Sequence, residues 1–414
     1  MPRTSIDIAL LFATRIVRLY AYGFLSVVLV LYLAEVGLPA GQIGMLLSLT
    51  LLGDAAISLW LTTSADRLGR KRMLLLGAAL MAGAGVAFVI TREPLLLLVA
   101  AIVGVISPSG NEIGPFLSIE QASLTQLVTD KQRTRIFAWY NLAGSFATAL
   151  GALSSGLLAQ WLQNEGWLPV DAYRTVIVLY AGIGSVLFVL FLLLSPAVEV
   201  RPLAATSSGP RVLGLHKSRG VVFQLSALFA LDAFAGGFIV QSIMAYWFFV
   251  RFGANVESIG AIFFGANLLA GVSALLAARV AARFGLINTM VFTHIPSNIL
   301  LMLVPFMPTL PLAIGVLLLR FSISQMDVPT RQSYTMAVVA PDERSAASGV
   351  TSIARSLGAA ASPALSGLLL TSTLTFSAPF MIAGSLKILY DLLLYQKFRS
   401  VKPPEESPTK TAPA

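Results

Sequence analysis

Arg18, Glu112, Asp232 and Arg320 are ionisable side chains set inside long apolar runs of a 414-residue chain. A charge in hydrocarbon costs roughly 2.5–3.5 kcal/mol on insertion scales, so such a group persists where a cavity or a partner receives it. Arginine binds carboxylate or phosphate through two parallel hydrogen bonds. A desolvated carboxylate holds a proton near neutrality. The chemistry available here is therefore anion binding and proton carriage. Asp54 and Asp327, each a carboxylate within an apolar run, are further proton-carrying candidates. Glu120 and Arg331 lie nearer the run ends and suit a latch that opens and closes. Arg15 and Arg355 add positive charge inside runs. Lys387 and Asp391, spaced i, i+4, are expected to pair on one helix face. His294 has no second ligand at metal spacing, and its expected role is structural. The sequence holds no cysteine, no phosphate-binding loop and no serine–histidine arrangement. An enzyme, a cofactor and a metal site are not expected.

The elements that must position these groups are membrane helices. Only 11% of residues are charged and 57% are hydrophobic, with mean hydropathy +0.82; soluble domains carry about 25% charged residues. A helix needs about 20 apolar residues to cross a bilayer. Twelve such runs are read, near 8–35, 41–63, 73–91, 95–126, 136–162, 173–195, 221–250, 257–279, 286–307, 310–338, 346–371 and 376–397. The net charge of +9 does not point to nucleic acid, because the basic residues follow alternate runs. Arg67, Arg70, Lys71 and Arg72 follow run 2, Lys131, Arg133 and Arg135 follow run 4, and Lys397, Arg399 and Lys402 follow run 12. The intervening loops hold only Arg92, Arg174 and Arg251. That asymmetry puts both termini in the cytoplasm of a cell (inner or plasma) membrane. The expected organisation is a six-helix bundle over 1–196, a cytoplasmic linker over 197–220, a second six-helix bundle over 221–398 and a disordered cytoplasmic tail over 399–414. By helical rise, Arg15 and Arg18 lie roughly 10 and 15 Å into run 1, Asp232 about 16 Å into run 7 and Arg320 about 15 Å into run 10.

The turn Asp66-Arg67-Leu68-Gly69-Arg70-Lys71-Arg72 packs five charges into seven residues between runs 2 and 3. In a twelve-run chain it resembles the signature loop of the major facilitator superfamily of transporters, with Thr62 and Ser64 where that family usually has Gly and Leu. The resemblance covers roughly residues 8–398 and implies a fold in which helices 1, 4, 7 and 10 line a central cavity. It implies that Asp66 and Arg70, with Arg67 and Gly69 in the same turn, form gating contacts between the halves. Lys71 and Arg72 are read as charges that only orient the chain. Run 5 lacks the Gly-Pro motif usual in the family's proton-driven drug exporters, and Ser109 stands where they often have arginine.

The two halves also resemble each other. Arg18 aligns with Asp232, Ile43-Gly44 with Ile259-Gly260, Glu120 with Arg331, and Ser155-Gly156 with Ser366-Gly367. Ala282-Arg283-Phe284-Gly285 is a shortened copy of the signature turn. A parallel repeat of this kind holds a substrate between two bundles near the midplane. Opposite signs at matching places suggest ion pairs across the halves. Prolines 108, 115, 329 and 363 are expected to interrupt runs 4, 10 and 11. The sequence thus indicates a secondary transporter of small molecules, a monomer sufficing. One reading is a proton-coupled exporter of partly apolar molecules, with Tyr20, Tyr22, Phe24, Phe234, Phe238, Tyr246 and Trp247 supplying its lining. The other is an organic or inorganic anion carrier (an exchanger or symporter) that uses Arg15, Arg18, Arg320 and Arg355.

Overall fold

The computed structural model describes residues 3–91, 93–104, 106–110, 116–128, 130–199, 215–340 and 343–401. Glu112, most of the linker and residues 402–414 lie outside the described residues, as do the side chains of Asp66 and Arg67. Among the described residues there are fifteen α-helices: α1 (Arg3–Glu35), α2 (Ala40–Leu68), α3 (Arg70–Ile90), α4 (Pro94–Val103), α5 (Phe116–Leu127), α6 (Asp130–Asn164), α7 (Pro169–Leu192), α8 (Arg219–Gly237), α9 (Gln241–Phe252), α10 (Val256–Phe284), α11 (Leu286–Leu303), α12 (Leu310–Ile323), α13 (Asp327–Val338), α14 (Arg344–Leu369) and α15 (Ala378–Phe398).

Ten stretches are long and apolar enough to cross a bilayer. Two of these are helix pairs that together make one span, α8 with α9 and α12 with α13. Ten of the twelve expected runs are thereby accounted for. Run 4 is divided into α4 and α5, each about half a span long. Run 11 is α14, a continuous helix of 26 residues whose serines, glycines and Arg355 dilute its apolarity.

The chain breaks where its residues resist helix, with two differences from expectation. Gly104 ends α4, and Pro108 and Gly110 (φ +67°) hold the chain beyond it in turns. Run 10 is interrupted as expected, at 324–326, and Pro329 sits in the first turn of α13, where a missing N–H costs no helical bond. Pro363 does not interrupt run 11. The Ala359 carbonyl, which Pro363 leaves without its helical donor, is turned against Gly237 of α8, where a Cβ would stand 2.5 Å away. The interruption between α8 and α9, at 238–240, was not expected and follows the pair Gly236-Gly237.

The middle of the molecule is α1. Leu25, Val27, Val28, Leu29, Tyr32 and Leu33 are all buried against α6, α7 and α9. Leu95, Val186, Val189, Phe292, Leu312 and Leu319 are exposed on the outside of the bundle, which suits lipid and not water.

The N- and C-terminal sets of helices meet along α2 with α14, α6 with α10, and α1 with α9. Two glycine crossings allow the first two contacts. A Cβ on Gly44 would lie 2.7 Å from the Gly367 Cα and 2.4 Å from the Pro363 carbonyl oxygen. A Cβ on Gly260 would lie 3.0 Å from the Gly156 Cα and 2.7 Å from the Ala152 carbonyl oxygen. The aligned segments therefore meet reciprocally, the Ile-Gly of each half on the Ser-Gly of the other. Polar contacts join the same end: Gln241 donates to Ser26 Oγ (2.8 Å), Asn267 to Gln241 (3.2 Å), and the Ser242 N–H to the Pro108 carbonyl (3.2 Å). α5 packs mainly on α1, α2, α3 and the turn at 196–198, and α13 on α8, α10, α11 and α14, so each stays within its own half.

The glycine seam yields a prediction. Gly44→Val places side-chain atoms inside the α14 backbone, so α2 and α14 must separate. The chain lacks native cysteine, and a single Ser26→Cys probe is expected to be shielded from a membrane-impermeant maleimide in the otherwise unaltered chain. In the Gly44→Val background it is expected to react. Equal labelling in both would show that the seam tolerates the extra side chain.

Candidate functional site

Two buried polar clusters lie one in each half. In the first, α1 brings Thr14, Arg15 and Arg18 against Glu120 of α5 and Tyr140 of α6. Arg18 grips Glu120 through two parallel bonds, Nη1 to Oε1 at 2.8 Å and Nη2 to Oε2 at 2.7 Å. Thr14 Oγ1 donates to the same carboxylate at 2.8 Å, and the Tyr140 hydroxyl donates to its other oxygen. Arg18 and Glu120 are both fully buried, and the Arg18 guanidinium lies 4.7 Å from the Phe116 ring centroid. Arg15 stacks over Tyr140 and donates to Asn141 at 3.1 Å.

In the second cluster Asp232 of α8 is the centre. Its Oδ2 accepts from Arg331 of α13 and from Arg355 of α14, both at 3.1 Å, and its Oδ1 from Lys387 of α15 at 2.6 Å. Arg331 also pairs with Asp327, one turn earlier on α13, at 3.0 Å. Arg355 is 35% exposed, against 10% or less for the other members of these pairs. Arg320 of α12 lies over the Phe321 ring; it is buried, its Nε has no hydrogen-bond partner, and among the described residues no carboxylate is within ion-pair distance of it. Behind the cluster His294 Nδ1 of α11 meets Asp391 of α15 at 2.9 and 3.1 Å.

These pairings differ from the expected ones. Arg18 does not meet Asp232, nor Glu120 Arg331, across the halves. Each half closes its own pair, with Arg on α1 and Glu on α5 in the first, Asp on α8 and Arg on α13 in the second. Alignment gave matching positions of opposite sign, and the fold satisfies them by repeating the same pairing in each half, because α1 packs on α5 and α8 on α13. Lys387 and Asp391 do not pair either: Lys387 reaches Asp232, and Asp391 takes His294. Asp54 is buried on α2, within electrostatic reach of Tyr180 on α7. Thr14 and Tyr140 were missed because hydroxyls inside an apolar run carry no signal of their own. No group of three or more His, Asp or Glu among the described residues could hold a metal ion.

The signature turn is a single residue. Gly69 (φ +105°) alone joins α2 to α3, as Gly285 (φ +83°) alone joins α10 to α11. The first N–H groups of α3 are capped by Glu199, from Arg70 N at 2.7 Å and Lys71 N at 3.2 Å. Arg70 reaches Gln126 Oε1 (3.2 Å) and the Val198 carbonyl (3.4 Å), contacts inside its own half. Lys71 does more than orient the chain: its ammonium donates to the Leu192 and Leu194 carbonyls at the end of α7, each at 2.7 Å. Across the molecule Glu343 binds the chain entering α8, accepting from Lys217 N and Ser218 N, each at 2.8 Å, and from His216. Burial acts to raise the Glu343 carboxyl, and the bonds from Ser218 and His216 outweigh it, holding it well below the usual carboxylate range. Neither Glu199 nor Glu343 stood out in the sequence, because a capping carboxylate is defined by the helix end it reaches.

The family model described as Major Facilitator Superfamily matches residues 11–363 and 233–414. The chain belongs to this superfamily. An uncharacterized membrane protein of Saccharomyces cerevisiae (strain ATCC 204508 / S288c), YJR124C, is 32% identical over 96% of this chain and 95% of its own. Among solved structures, a bacterial homologue of the human lysosomal transporter Spinster, inward-facing and unoccupied, is similar at TM-score 0.73 and 14% identity, covering 96% of this chain and 98% of that one. A D-xylose–proton symporter is similar at TM-score 0.72 and 15% identity, covering 94% and 97%. As a superfamily member the chain is a multi-pass membrane protein with a transporter fold, and its two clusters occupy the interior of that fold.

Two outcomes follow. Glu120→Gln leaves Arg18 charged and poorly paired, at a cost of about 3–5 kcal/mol; the double substitution Arg18→Met, Glu120→Met is expected to recover most of that loss in thermal unfolding of the detergent-solubilised protein. For Glu343 the folded value is lowered, so its stabilisation is complete above the unfolded value of about 4.3 and is lost only as pH falls through the lower folded one. Acidification from pH 7 to 5 should therefore leave the contact intact, whereas Glu343→Gln should speed proteolysis near residues 215–218 at both pH values.

Proposed function

We propose that this superfamily member is a secondary transporter working by alternating access, and that its substrate is a small organic or inorganic anion. The observation that carries the reading is a pair of weakly compensated cations in the second cluster. Arg320 is buried and, among the described residues, has no carboxylate at ion-pair distance. Arg355 is a third exposed and shares Asp232 with Arg331 and Lys387. Cations so placed attract an anion that neutralises them.

Export of partly apolar molecules in exchange for protons is the second reading, and the half-buried Tyr20, Phe234 and Tyr246 favour it. The remaining candidate aromatics do not: Tyr22, Phe24 and Phe238 are buried, and Trp247 is packed among Phe248, Phe252, Phe376 and Phe380. The two-bundle organisation is supported by the reciprocal glycine crossings and by the matching single-glycine turns. The basic loops support cytoplasmic termini and a plasma-membrane setting, with the glycine seam on the outer side. Close packing at that seam and the accessible Arg355 support a conformation open to the cytoplasm.

The test is transport in proteoliposomes with an imposed pH gradient, an internal pH-sensitive dye, and organic anions and cationic drugs offered side by side. Anions are expected to move and cations not. Arg355→Gln and Arg320→Gln should each lower anion flux about tenfold or more, the loss of one charge-assisted bond. Uptake of cations that survives both substitutions would favour the exporter.

A further inference from the structure

His294 and Asp391 lie between α11 and α15, behind the central cluster. Both are buried, at 4% and 0% exposure. Among the contacts described so far nothing gives this pair a task, and a static role is a poor account of it. Two apolar residues would fill the same space without removing an imidazole and a carboxylate from water. One side chain links the pair electrostatically to the central cluster. Lys387 stands one helical turn before Asp391 on α15, the spacing at which it could serve it, and yet its ammonium donates to Asp232 on α8 at 2.6 Å. Asp232 in turn holds Arg355, the member of the cluster that is a third exposed. Two contact groups, His294–Asp391 and Lys387–Asp232–Arg355, therefore lie side by side, separated by the one-turn spacing of Lys387 and Asp391 on α15.

We propose that His294 and Asp391 are a proton-carrying pair whose state decides which carboxylate Lys387 serves, and that through Lys387 and Asp232 it sets how freely Arg355 can bind an anionic substrate. The proposal rests on the anion-carrier reading and deepens it. In the protonated form His294 carries N–H at both nitrogens. Its Nδ1–H donates to Asp391, the two charges cancel, and Lys387 remains with Asp232. Asp232 is then served by Lys387 and Arg331, and Arg355 can turn to an anion. When the Nε2 proton leaves, His294 is neutral and Asp391 keeps an uncompensated charge. Lys387, on a flexible stem, swings one turn to Asp391. Asp232 is left with Arg331 and Arg355 and holds Arg355 back from the substrate. Proton and anion thus bind together.

The groups facing the pair come from every neighbouring helix. Asn298 of α11 donates to Asp391 at 3.3 Å. The Tyr390 ring of α15 meets the His294 ring edge-on at 6.1 Å. Lys387 of α15 and Asp232 of α8 act on Asp391 electrostatically. Arg331 of α13 and Arg355 of α14 hold Asp232, Asp327 of α13 pairs with Arg331, and Arg320 of α12 is within electrostatic reach of Asp327 and Asp232.

The chain has two histidines, so protein labelled with 15N-histidine and placed in lipid nanodiscs gives two sets of ring signals, and His216→Gln leaves His294 alone. Its signals are expected to pass from the doubly protonated to the neutral form as the pH is raised. At a fixed pH where both forms are present, Asp232→Asn should lower the protonated fraction, because Lys387, without Asp232, turns to Asp391. His294 signals that do not change with pH, or that ignore Asp232→Asn, would overturn the proposal. Neither measurement needs a substrate, so both stand if the carrier moves no tested anion and the anion reading fails. In proteoliposomes the unaltered protein should move protons with the anion. His294→Gln, and as a second variant the double substitution His294→Gln, Asp391→Asn, should move the anion more slowly and without protons. Proton movement that persists in the double variant would also overturn the proposal.

Discussion

A charge cannot be left alone in hydrocarbon, and that constraint organises the interior of this molecule. Arg18 and Glu120 satisfy each other through two parallel bonds, and Thr14 and Tyr140 occupy the remaining acceptor sites of the carboxylate. Asp232 collects three cations from three helices. These contacts fix α1 to α5 and α6 in one half, and α8 to α13, α14 and α15 in the other. Under the proposed alternating access each set of helices could move as a body, because these buried charges are settled internally and need not be exchanged.

The contacts between the halves are of another kind. Along α2 with α14 and α6 with α10 they are backbone against backbone, made possible by Gly44, Gly156, Gly260 and Gly367. Such a seam holds by close packing and few polar bonds. It can part without stranding a charge, which an interface built from Arg18–Asp232 and Glu120–Arg331 pairs could not do at the same cost. Halves with buried ionic cores and a seam of glycines between them suit the proposed alternating access.

Arg320 and Arg355 are the two cations of the second cluster that the pairing among the described residues leaves least compensated, the first for want of a close carboxylate and the second because it shares Asp232 with two others. Since Asp232 serves three cations, a change at any one of them is felt by the rest. The His294–Asp391 pair is placed to exert such a change from behind.

Much of this was legible in the sequence. Apolar runs, alternate basic loops and the turn ending in Gly69-Arg70-Lys71 sufficed for a helical membrane protein of a transporter superfamily, because bilayer thickness and charge asymmetry act on local sequence. The charged residues of both clusters stood out for the same reason, a charge in an apolar run being visible wherever it lies. Which charge meets which was not legible. Arg18 could have reached Asp232 as readily as Glu120 on paper, and Lys387 seemed to belong to Asp391. The choice depends on how α1 leans on α5 and α15 on α8, and that is set by side-chain packing along whole helices. The helix caps at Glu199 and Glu343 and the reciprocal glycine crossings were hidden likewise, since they join residues far apart in the chain whose types are ordinary. The sequence by itself determined that charges are buried, and roughly at what depth; tertiary structure alone decided their partners, because pairing is a matter of a few ångströms between helices that no linear spacing specifies.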